Sequence, residues 1–190
     1  MKQKILLLVY PTFSEFEVTV VASVLKEKYS IETVALGRQP VKGESGITVL
    51  PDRELSEIKS GEFGGIIVPG GDLYYVKDAD RLFSLIKEFH SQKKLVASIC
   101  GGGYVLAKAG LLEHIPYTVT FSKEQRQFLG CFNEKNFTYK PVVISGNVIT
   151  AQGHAYVQFG LAVGEKLNAL KEGTEEFYLG QGNRRMGNGI

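Results

Sequence analysis

The first half of the chain alternates short apolar segments with amphipathic ones. The segment Leu95 to Ile99 has no period-two alternation, which is typical of a central parallel strand covered on both faces. Apolar side chains at helical spacing predict helices over Ser14 to Lys28 and Asp78 to His90. Further strands are predicted at Lys4 to Tyr10, Ile31 to Leu36 and Gly64 to Val68. This alternation predicts a doubly wound, mostly parallel sheet, in which ligands bind at the carboxyl ends of the strands.

The remaining segments fit the same α/β domain. Residues 1–182 are expected to form a single domain, and residues 183–190 a flexible tail, because the end of the chain is polar and rich in glycine. The predicted elements are a hairpin over Val41 to Leu50, a helix over Gly103 to Leu112, a short strand over Tyr117 to Thr120, a helical turn over Ser122 to Leu129, a hairpin over Pro141 to Ala151, and helices over Ala155 to Leu170 and Thr174 to Gln181.

Composition and charge exclude several classes of protein. The net charge is +2, from 22 basic and 20 acidic residues without a basic run, so nucleic acid is not an expected partner. No apolar segment approaches the roughly 20 residues that a membrane-spanning helix needs, so no membrane is expected. The apolar N-terminal run ends at Pro11 without a cleavage site and is interpreted as a strand. Two cysteines, Cys100 and Cys131, give no disulfide framework, and a cytoplasmic location is expected.

The strand at Leu95 to Ile99 leads directly into Cys100 and three glycines. A buried strand, an abrupt turn and a helix in this order resemble a nucleophile elbow with cysteine in place of serine. The free amides at the start of the helix favour a thiolate, and Gly101 and Gly102 let a ligand approach the backbone. The alternative is a buried structural cysteine followed by a flexible glycine turn, and this segment alone does not distinguish the two.

Glu17 and His154 are the candidate partners of Cys100, because each lies in a loop that opens at the carboxyl edge of the sheet. Glu17 could share a proton with the thiol, but Ser14 and Glu17 also fit a capping box at the start of the first helix. Glu15 is expected to be a solvated partner of the helix dipole. His154 would act as the base in an acyl-transfer site, although a single histidine in a loop is more often incidental.

A Pro69-Gly70-Gly71 sequence ends the strand at Gly64 to Val68. Such a sequence is often only a turn. Here the free N–H groups of Gly70 and Gly71 could join that of Gly101 around a developing oxyanion.

The order of these motifs, from strand-P-G-G through about thirty residues of helix to strand-A-x-x-C-G-G-G, resembles the ThiJ/PfpI superfamily. This superfamily belongs to the class I glutamine amidotransferase-like fold and includes PfpI-type intracellular proteases and the Parkinsonism-associated deglycase. The resemblance covers Lys4 to about Leu170. It implies a flavodoxin-like three-layer α/β sandwich, usually a homodimer, with Cys100 as nucleophile, Glu17 as the carboxylate bonded to it, and Gly70 and Gly71 on the oxyanion side.

The sequence departs from the family pattern at three positions. Gly101 stands where PfpI-type proteases have a histidine, and Phe121 where the deglycase-like branch has one. His154 lies broadly where amidotransferases keep their triad histidine, but Tyr156 replaces the glutamate that follows it. An intact amidotransferase triad is therefore not supported.

Three functions remain open from the sequence. The first is a cysteine-dependent hydrolase for a small amide, peptide or carbonyl adduct, with Cys100, Glu17 and His154 in the roles above and no metal or cofactor. The second is a non-catalytic redox sensor or chaperone-like protein in which Cys100 is oxidised. The third is a small-molecule binding module without the usual nucleotide signatures.

Overall fold

The computed structural model describes residues 2–181, and the expected tail at 183–190 lies outside them. Seven strands form the main sheet: β1 (Gln3–Leu8), β2 (Tyr29–Ala35), β5 (Arg53–Glu54), β6 (Phe63–Val68), β7 (Leu95–Ile99), β8 (Val142–Ser145) and β9 (Val148–Ala151). Their order is β5-β2-β1-β6-β7-β9-β8. Every neighbouring pair is parallel except β8 and β9. A separate antiparallel hairpin consists of β3 (Val41–Lys42) and β4 (Thr48–Val49).

Six α-helices complete the described fold. They are α1 (Glu15–Leu25), α2 (Asp80–Ser91), α3 (Gly103–Lys108), α4 (Lys123–Leu129), α5 (Tyr156–Lys166) and α6 (Thr174–Tyr178). From β1 the chain runs through α1 to β2, toward one edge of the sheet. From β6 it runs through α2 to β7, toward the opposite edge. Since parallel crossovers are right-handed, α1 and α2 lie on opposite faces. Helix α5 packs against α1, and α3 against α2, which gives three layers.

The core follows from the continuous apolar character of the central strands. All five residues of β7 are buried, as are the last four residues of both β1 and β6. Helix α2 buries Leu82, Leu85, Ile86 and Phe89 on its sheet side. The fold class expected from the sequence, a mostly parallel flavodoxin-like α/β sandwich, is confirmed. None of the helices within residues 2–181 is long and apolar enough to cross a membrane.

Several local predictions differ from the structure. Tyr117 to Thr120 is not a strand, because only Tyr117 makes a bridge, to Phe137. The short edge strand β5 is not predicted by any apolar pattern, since it consists of two charged residues. The long helix expected over Ala155 to Leu170 ends at Lys166, and the last helix ends at Tyr178.

The capping box predicted at the start of α1 is wrong. Ser14 is the N-cap residue, but its side chain makes no capping bond. Its hydroxyl donates instead to the Glu44 carboxylate, at 2.9 Å. The Glu17 side chain turns into the protein, with 1% of its surface exposed.

Glu15 is likewise buried, not solvated as expected. Its carboxylate accepts hydrogen bonds from the backbone N–H groups of Ser45 and Ile47, in the β3–β4 hairpin. Burial disfavours its charge, but a hydrogen bond from the Ser45 side chain, together with these backbone hydrogen bonds, outweighs burial and lowers the pKa of the Glu15 carboxyl. Glu15 therefore fixes the hairpin to α1.

Candidate active site

The topology brings three loops together at one edge of the sheet. Strands β1 and β6 are neighbours whose outgoing connections cross in opposite directions, so their carboxyl ends define the switch point of the sheet. The connection after β1 carries Glu17, the end of β6 carries Gly70, and the end of the adjacent β7 carries Cys100. The crevice at this switch point is where an open parallel sheet places its ligands.

Cys100 occupies a strained backbone position between β7 and α3. Its φ angle is 55°, in the left-handed region that non-glycine residues rarely adopt. A single 3₁₀ turn over Cys100–Gly102 then leads directly into α3. This is the strand–turn–helix geometry of a nucleophile elbow, and backbone strain of this kind is concentrated at functional sites.

The Glu17 carboxylate and the Cys100 thiol form a pair beneath the elbow. Glu17 Oε2 accepts a hydrogen bond of 2.7 Å from the Gly70 N–H, which holds the carboxylate in place. The carboxylate lies beside the thiol, because Glu17 Oε1 and Cys100 Sγ both come within 3.1 Å of the Cβ position of Gly153. The structure thus brings together Cys100, Glu17 and Gly70, which lie far apart in the sequence.

Burial dominates the ionisation of both partners. Burial raises the pKa of the Glu17 carboxyl, and the hydrogen bonds from Gly70 and Cys100 offset this only in part. Burial, followed by the charge of Glu17 and its hydrogen bond, raises the pKa of the Cys100 thiol to about 12. The pKa of the Cys100 thiol is therefore raised, whereas the free amides at the start of the helix were expected to lower it. The pair therefore resists carrying two negative charges.

Two glycines, which have no side chain, leave space for the Cys100 sulfur and the Glu17 carboxylate. A Cβ atom placed on Gly70 would lie 3.1 Å from Cys100 Sγ and 3.0 Å from Glu17 Oε2. A Cβ atom on Gly153 would lie 3.1 Å from Cys100 Sγ and 3.1 Å from Glu17 Oε1. Gly70 and Gly153 therefore both lie against the same two groups, the Cys100 thiol and the Glu17 carboxylate. Gly153 was not singled out in the sequence because it follows an ordinary loop pattern.

The expected role of Gly70 as an oxyanion donor is corrected, because its N–H is donated to Glu17. Gly71 and Gly101 face each other across the crevice, where the Gly71 carbonyl oxygen lies 3.7 Å from the Cβ position of Gly101. The φ angle of Gly71 is 153°, and a Cβ there would lie 2.8 Å from the Tyr10 ring. The N–H of Gly101 makes a hydrogen bond that favours the Cys100 thiolate.

Thr120 and Gln152 are polar residues of the site that the sequence pattern did not identify. The Thr120 hydroxyl accepts a 2.8 Å hydrogen bond from the Gly153 N–H. It also contacts Gln152 Oε1, at 3.2 Å. No spacing rule connects these residues with Cys100. The apolar surroundings of Thr120 in the sequence suggested only a short strand.

His154 directly follows Gly153 in the sequence. It lies in the 3₁₀ turn Gly153–Ala155, its side chain is exposed, and it makes no hydrogen bond to another residue of the described chain. Its role as a base therefore stays a prediction. Phe121 contacts the Gly101 side of the crevice, since its Cζ lies 3.4 Å from the Cβ position of that glycine. Across residues 2–181 no group of three or more His, Cys, Asp or Glu side chains is arranged to hold a metal ion.

The fold and this edge of the sheet define a flavodoxin-like α/β protein with a cysteine elbow. The chain belongs to the DJ-1/PfpI family, whose model matches residues 3–166. It is 30% identical over 189 residues to Protein dj-1beta of Drosophila melanogaster, covering 95% of this chain and 97% of that protein.

Relatives with protease names are also similar to the chain. A Bacillus subtilis protein named Uncharacterized protease YoaZ is 26% identical over 185 residues, which cover 90% of this chain and 87% of that protein. The crystal structure of a DJ-1 superfamily protein from Agrobacterium tumefaciens matches with a TM-score of 0.85 at 23% identity, covering 96% of this chain and 99% of that one. At that identity the match supports the fold alone.

Proposed function

We propose that this protein is a cysteine-dependent hydrolase that acts on a small amide, peptide or carbonyl adduct. The observation that carries the proposal is the Cys100–Glu17 pair, because a thiol on a strained elbow lies beside a carboxylate that is almost fully buried. The protease names of some relatives agree with this reading. Membership in the family alone does not select the reaction.

Glu17 is the proton carrier of the proposed reaction. It takes the thiol proton as Cys100 Sγ attacks the carbonyl carbon and a carbon–sulfur bond forms. The bond to the leaving group then breaks, and Glu17 returns the proton to that group. Water next attacks the thioester, which releases the carboxylic acid and restores the thiol. The raised pKa of the Glu17 carboxyl suits this role, since it brings the acid nearer to neutral pH.

The oxyanion formed in each attack needs hydrogen-bond donors beside the sulfur. Gly101 follows the nucleophile directly, as does the donor residue of hydrolase elbows, and Gly71 lies across the crevice from it. We assign the oxyanion to the N–H group of Gly71 and to that of Gly101, which is released from the sulfur once the carbon–sulfur bond has formed and the sulfur carries no charge. Gly70 has a different role in the proposal, because its N–H orients Glu17.

The pair also supports a second candidate, a redox sensor in which peroxide oxidises Cys100 to a sulfenic or sulfinic acid. The specific observation is that hydrogen bonds from Gly101 and Thr120 favour a negative charge on this sulfur, against the larger opposing effects of burial and Glu17 on its pKa. The homodimer that the family resemblance implies stays a prediction under either function.

The hydrolase proposal is tested with the two cysteines of the chain as a matched pair. Turnover of a small activated ester, such as p-nitrophenyl acetate, is measured for wild type, Cys100→Ala and Cys131→Ala. We expect Cys100→Ala to fall to the uncatalysed rate and Cys131→Ala to retain wild-type turnover, because Cys131 lies outside the crevice and is only partly buried. Equal turnover in wild type and Cys100→Ala contradicts the proposal.

A further inference from the structure

An apolar groove opens beside the crevice, between the turn that follows β6 and helix α4. Its volume is about 400 Å³, which is within the range of small-molecule sites in proteins. Four of the six residues that line it are apolar, and the six are Leu73, Phe121, Glu124, Gln125, Phe128 and Leu129. The Phe128 side chain is 90% exposed, so the groove is open to solvent. Contiguous exposed apolar surface of this kind marks a candidate binding site.

The groove is continuous with the crevice that holds Cys100. Phe121 belongs to both, because it lines the groove and its Cζ lies 3.4 Å from the Cβ position of Gly101. Leu73, on the other wall, is two residues after Gly71, whose carbonyl oxygen lies 3.7 Å from the same Cβ position. The two glycines to which we assign the oxyanion therefore each adjoin a wall of the groove. A group bound in the groove lies next to the carbonyl that Cys100 attacks in the proposed reaction.

Arg126 holds the Phe121 wall in place. Its Nη1 donates to the Phe121 carbonyl oxygen at 2.7 Å. Its Nε and Nη2 donate to the two oxygens of the Glu134 carboxylate, at 2.7 and 2.9 Å, and its guanidinium carbon lies 3.6 Å from the centre of the Phe137 ring. Only 5% of Arg126 is exposed. A buried bidentate pair with an aromatic ring against it is a rigid support, so this side of the groove is formed before a ligand binds.

We propose that the groove binds an uncharged apolar chain of the substrate, attached to the carbonyl carbon that Cys100 attacks, and that Leu73, Phe121 and Phe128 determine specificity for this chain. The inference rests on the proposed function and names its substrate class, an amide or peptide with an apolar acyl side. Because the groove is continuous with the crevice, its occupant is part of the molecule that binds beside the sulfur.

The charges at the groove favour an uncharged occupant. None of the six lining residues is cationic, and Glu124 contributes a carboxylate. The guanidinium of Arg126, behind Phe121, is already paired with Glu134. An anionic chain would therefore meet a like charge and find no counter-ion on the walls of the groove. A chain of CH₂ groups gains free energy by leaving water.

The first test compares turnover of p-nitrophenyl acetate with that of p-nitrophenyl hexanoate, whose acyl chain has four more CH₂ groups. Each CH₂ group that leaves water completely raises kcat/KM by about fourfold. An open groove covers only part of the chain, so we expect kcat/KM to be roughly tenfold higher for the hexanoate, after division by the uncatalysed rates. Phe128→Ala should lower this ratio about threefold, because it removes one wall of the groove.

The control is Phe177→Ala, which removes another exposed phenylalanine, from α6, and should keep the wild-type ratio. Circular dichroism establishes that the two variants are folded alike. Equal ratios in wild type and Phe128→Ala overturn the inference. A lower ratio in Phe128→Ala that coincides with dissociation of a dimer, as measured by size-exclusion chromatography, would assign the groove to a second copy of this chain and also overturn it.

The second test requires no hydrolysis and so separates the inference from the proposed function. Methyl and hexyl methanethiosulfonate transfer their alkylthio groups to a thiolate and release methanesulfinate. Peptide-resolved mass spectrometry gives both rates at Cys100 and, as the reference for the reagents themselves, at Cys131, which lines a different cavity. We expect Cys100 to prefer the hexyl reagent relative to Cys131, and Phe128→Ala to reduce this preference about threefold.

The outcomes of the two tests differ for the two claims. A hexyl preference at Cys100 in a protein without esterase turnover would keep the groove and overturn only the hydrolase function. Ester turnover dependent on Cys100, with no preference for the longer chain in either test, would overturn the groove alone. A Cys100 that neither reagent modifies would overturn both.

Discussion

Glu17 is the residue whose interpretation changes most between sequence and structure. Its position in the sequence fits a helix cap, and the structure instead directs it to Gly70 and Cys100. The position of its loop at the carboxyl edge of the sheet made Glu17 a candidate, local sequence rules favoured the cap, and the family resemblance favoured the partner of Cys100. The reason is physical, because a capping box is a short-range pattern and the partners of Glu17 lie on two other loops.

The raised pKa of Glu17 makes the stability of the fold depend on pH. The folded state binds this proton more tightly than the unfolded state, so the free energy of unfolding falls as pH rises above the ordinary value of 4.5. Glu17→Gln cannot ionise. We expect this variant to become more stable relative to wild type as pH rises from acidic to neutral, as measured by urea denaturation.

Glu15→Gln is the matched control for this effect, with the opposite sign. The pKa of the Glu15 carboxyl is lowered, so its contribution to stability is present above 4.5 and is lost as pH falls through its folded pKa. Removal of its charge should destabilise the protein at neutral pH and have little effect in acid. If the free energy of unfolding depends on pH in the same way for wild type and Glu17→Gln, the pKa of the Glu17 carboxyl is not raised in the folded state.

At the scale of elements, the elbow depends on close contact between the end of β6 and the turn after β7. A Cβ atom on Gly102 would lie 2.4 Å from the Val68 carbonyl oxygen and 2.5 Å from that of Pro69. Backbone atoms cannot rotate away as side chains do. This contact aligns the Cys100 turn with the β6 loop that carries Gly70.

Gly102→Ala should therefore destabilise the protein by roughly 1–3 kcal/mol, the usual cost of overpacking, and should also lower the reactivity of Cys100. Gly61→Ala is the control, since a Cβ there has no neighbour within 4 Å. Its free energy of unfolding should stay within about 1 kcal/mol of wild type. Both values come from urea denaturation, and equal stability of the two variants would contradict this account of the elbow.

The strands and helices of the main layers could be predicted because their patterns are local. The sequence of Leu95 to Ile99 is continuously apolar, as a strand buried on both faces requires. The sequence of α2 has apolar residues at helical spacing, as a helix that buries one face requires. The failures lie where tertiary contacts decide. Strand β5 is charged and pairs only at the sheet edge. The segment after Tyr117 has no strand partner and is held by hydrogen bonds from the Thr118 N–H to the Thr150 hydroxyl and from the Gly153 N–H to the Thr120 hydroxyl.

At the scale of the whole molecule, the strand order creates the site. The reversal of direction between β1 and β6 places Glu17 and Gly70 beside Cys100, although no two of them are neighbours in the sequence. An α/β alternation predicts such a crevice and the strand ends that form it. It does not predict which side chains from the later loops complete the site, and for this reason Thr120, Gln152 and Gly153 emerged only from the structure.

The most direct test of the central claim is a search for the acyl group on Cys100 itself. Wild-type protein is mixed with a small p-nitrophenyl ester, quenched in acid, digested and analysed by peptide-resolved mass spectrometry. We expect the acyl group on the Cys100 peptide, decaying at the rate of turnover, with the Cys131 peptide unmodified. Turnover without acylation of Cys100 would contradict the account. Absence of acylation and turnover, with Cys100 still oxidised first by peroxide, would favour the redox sensor instead.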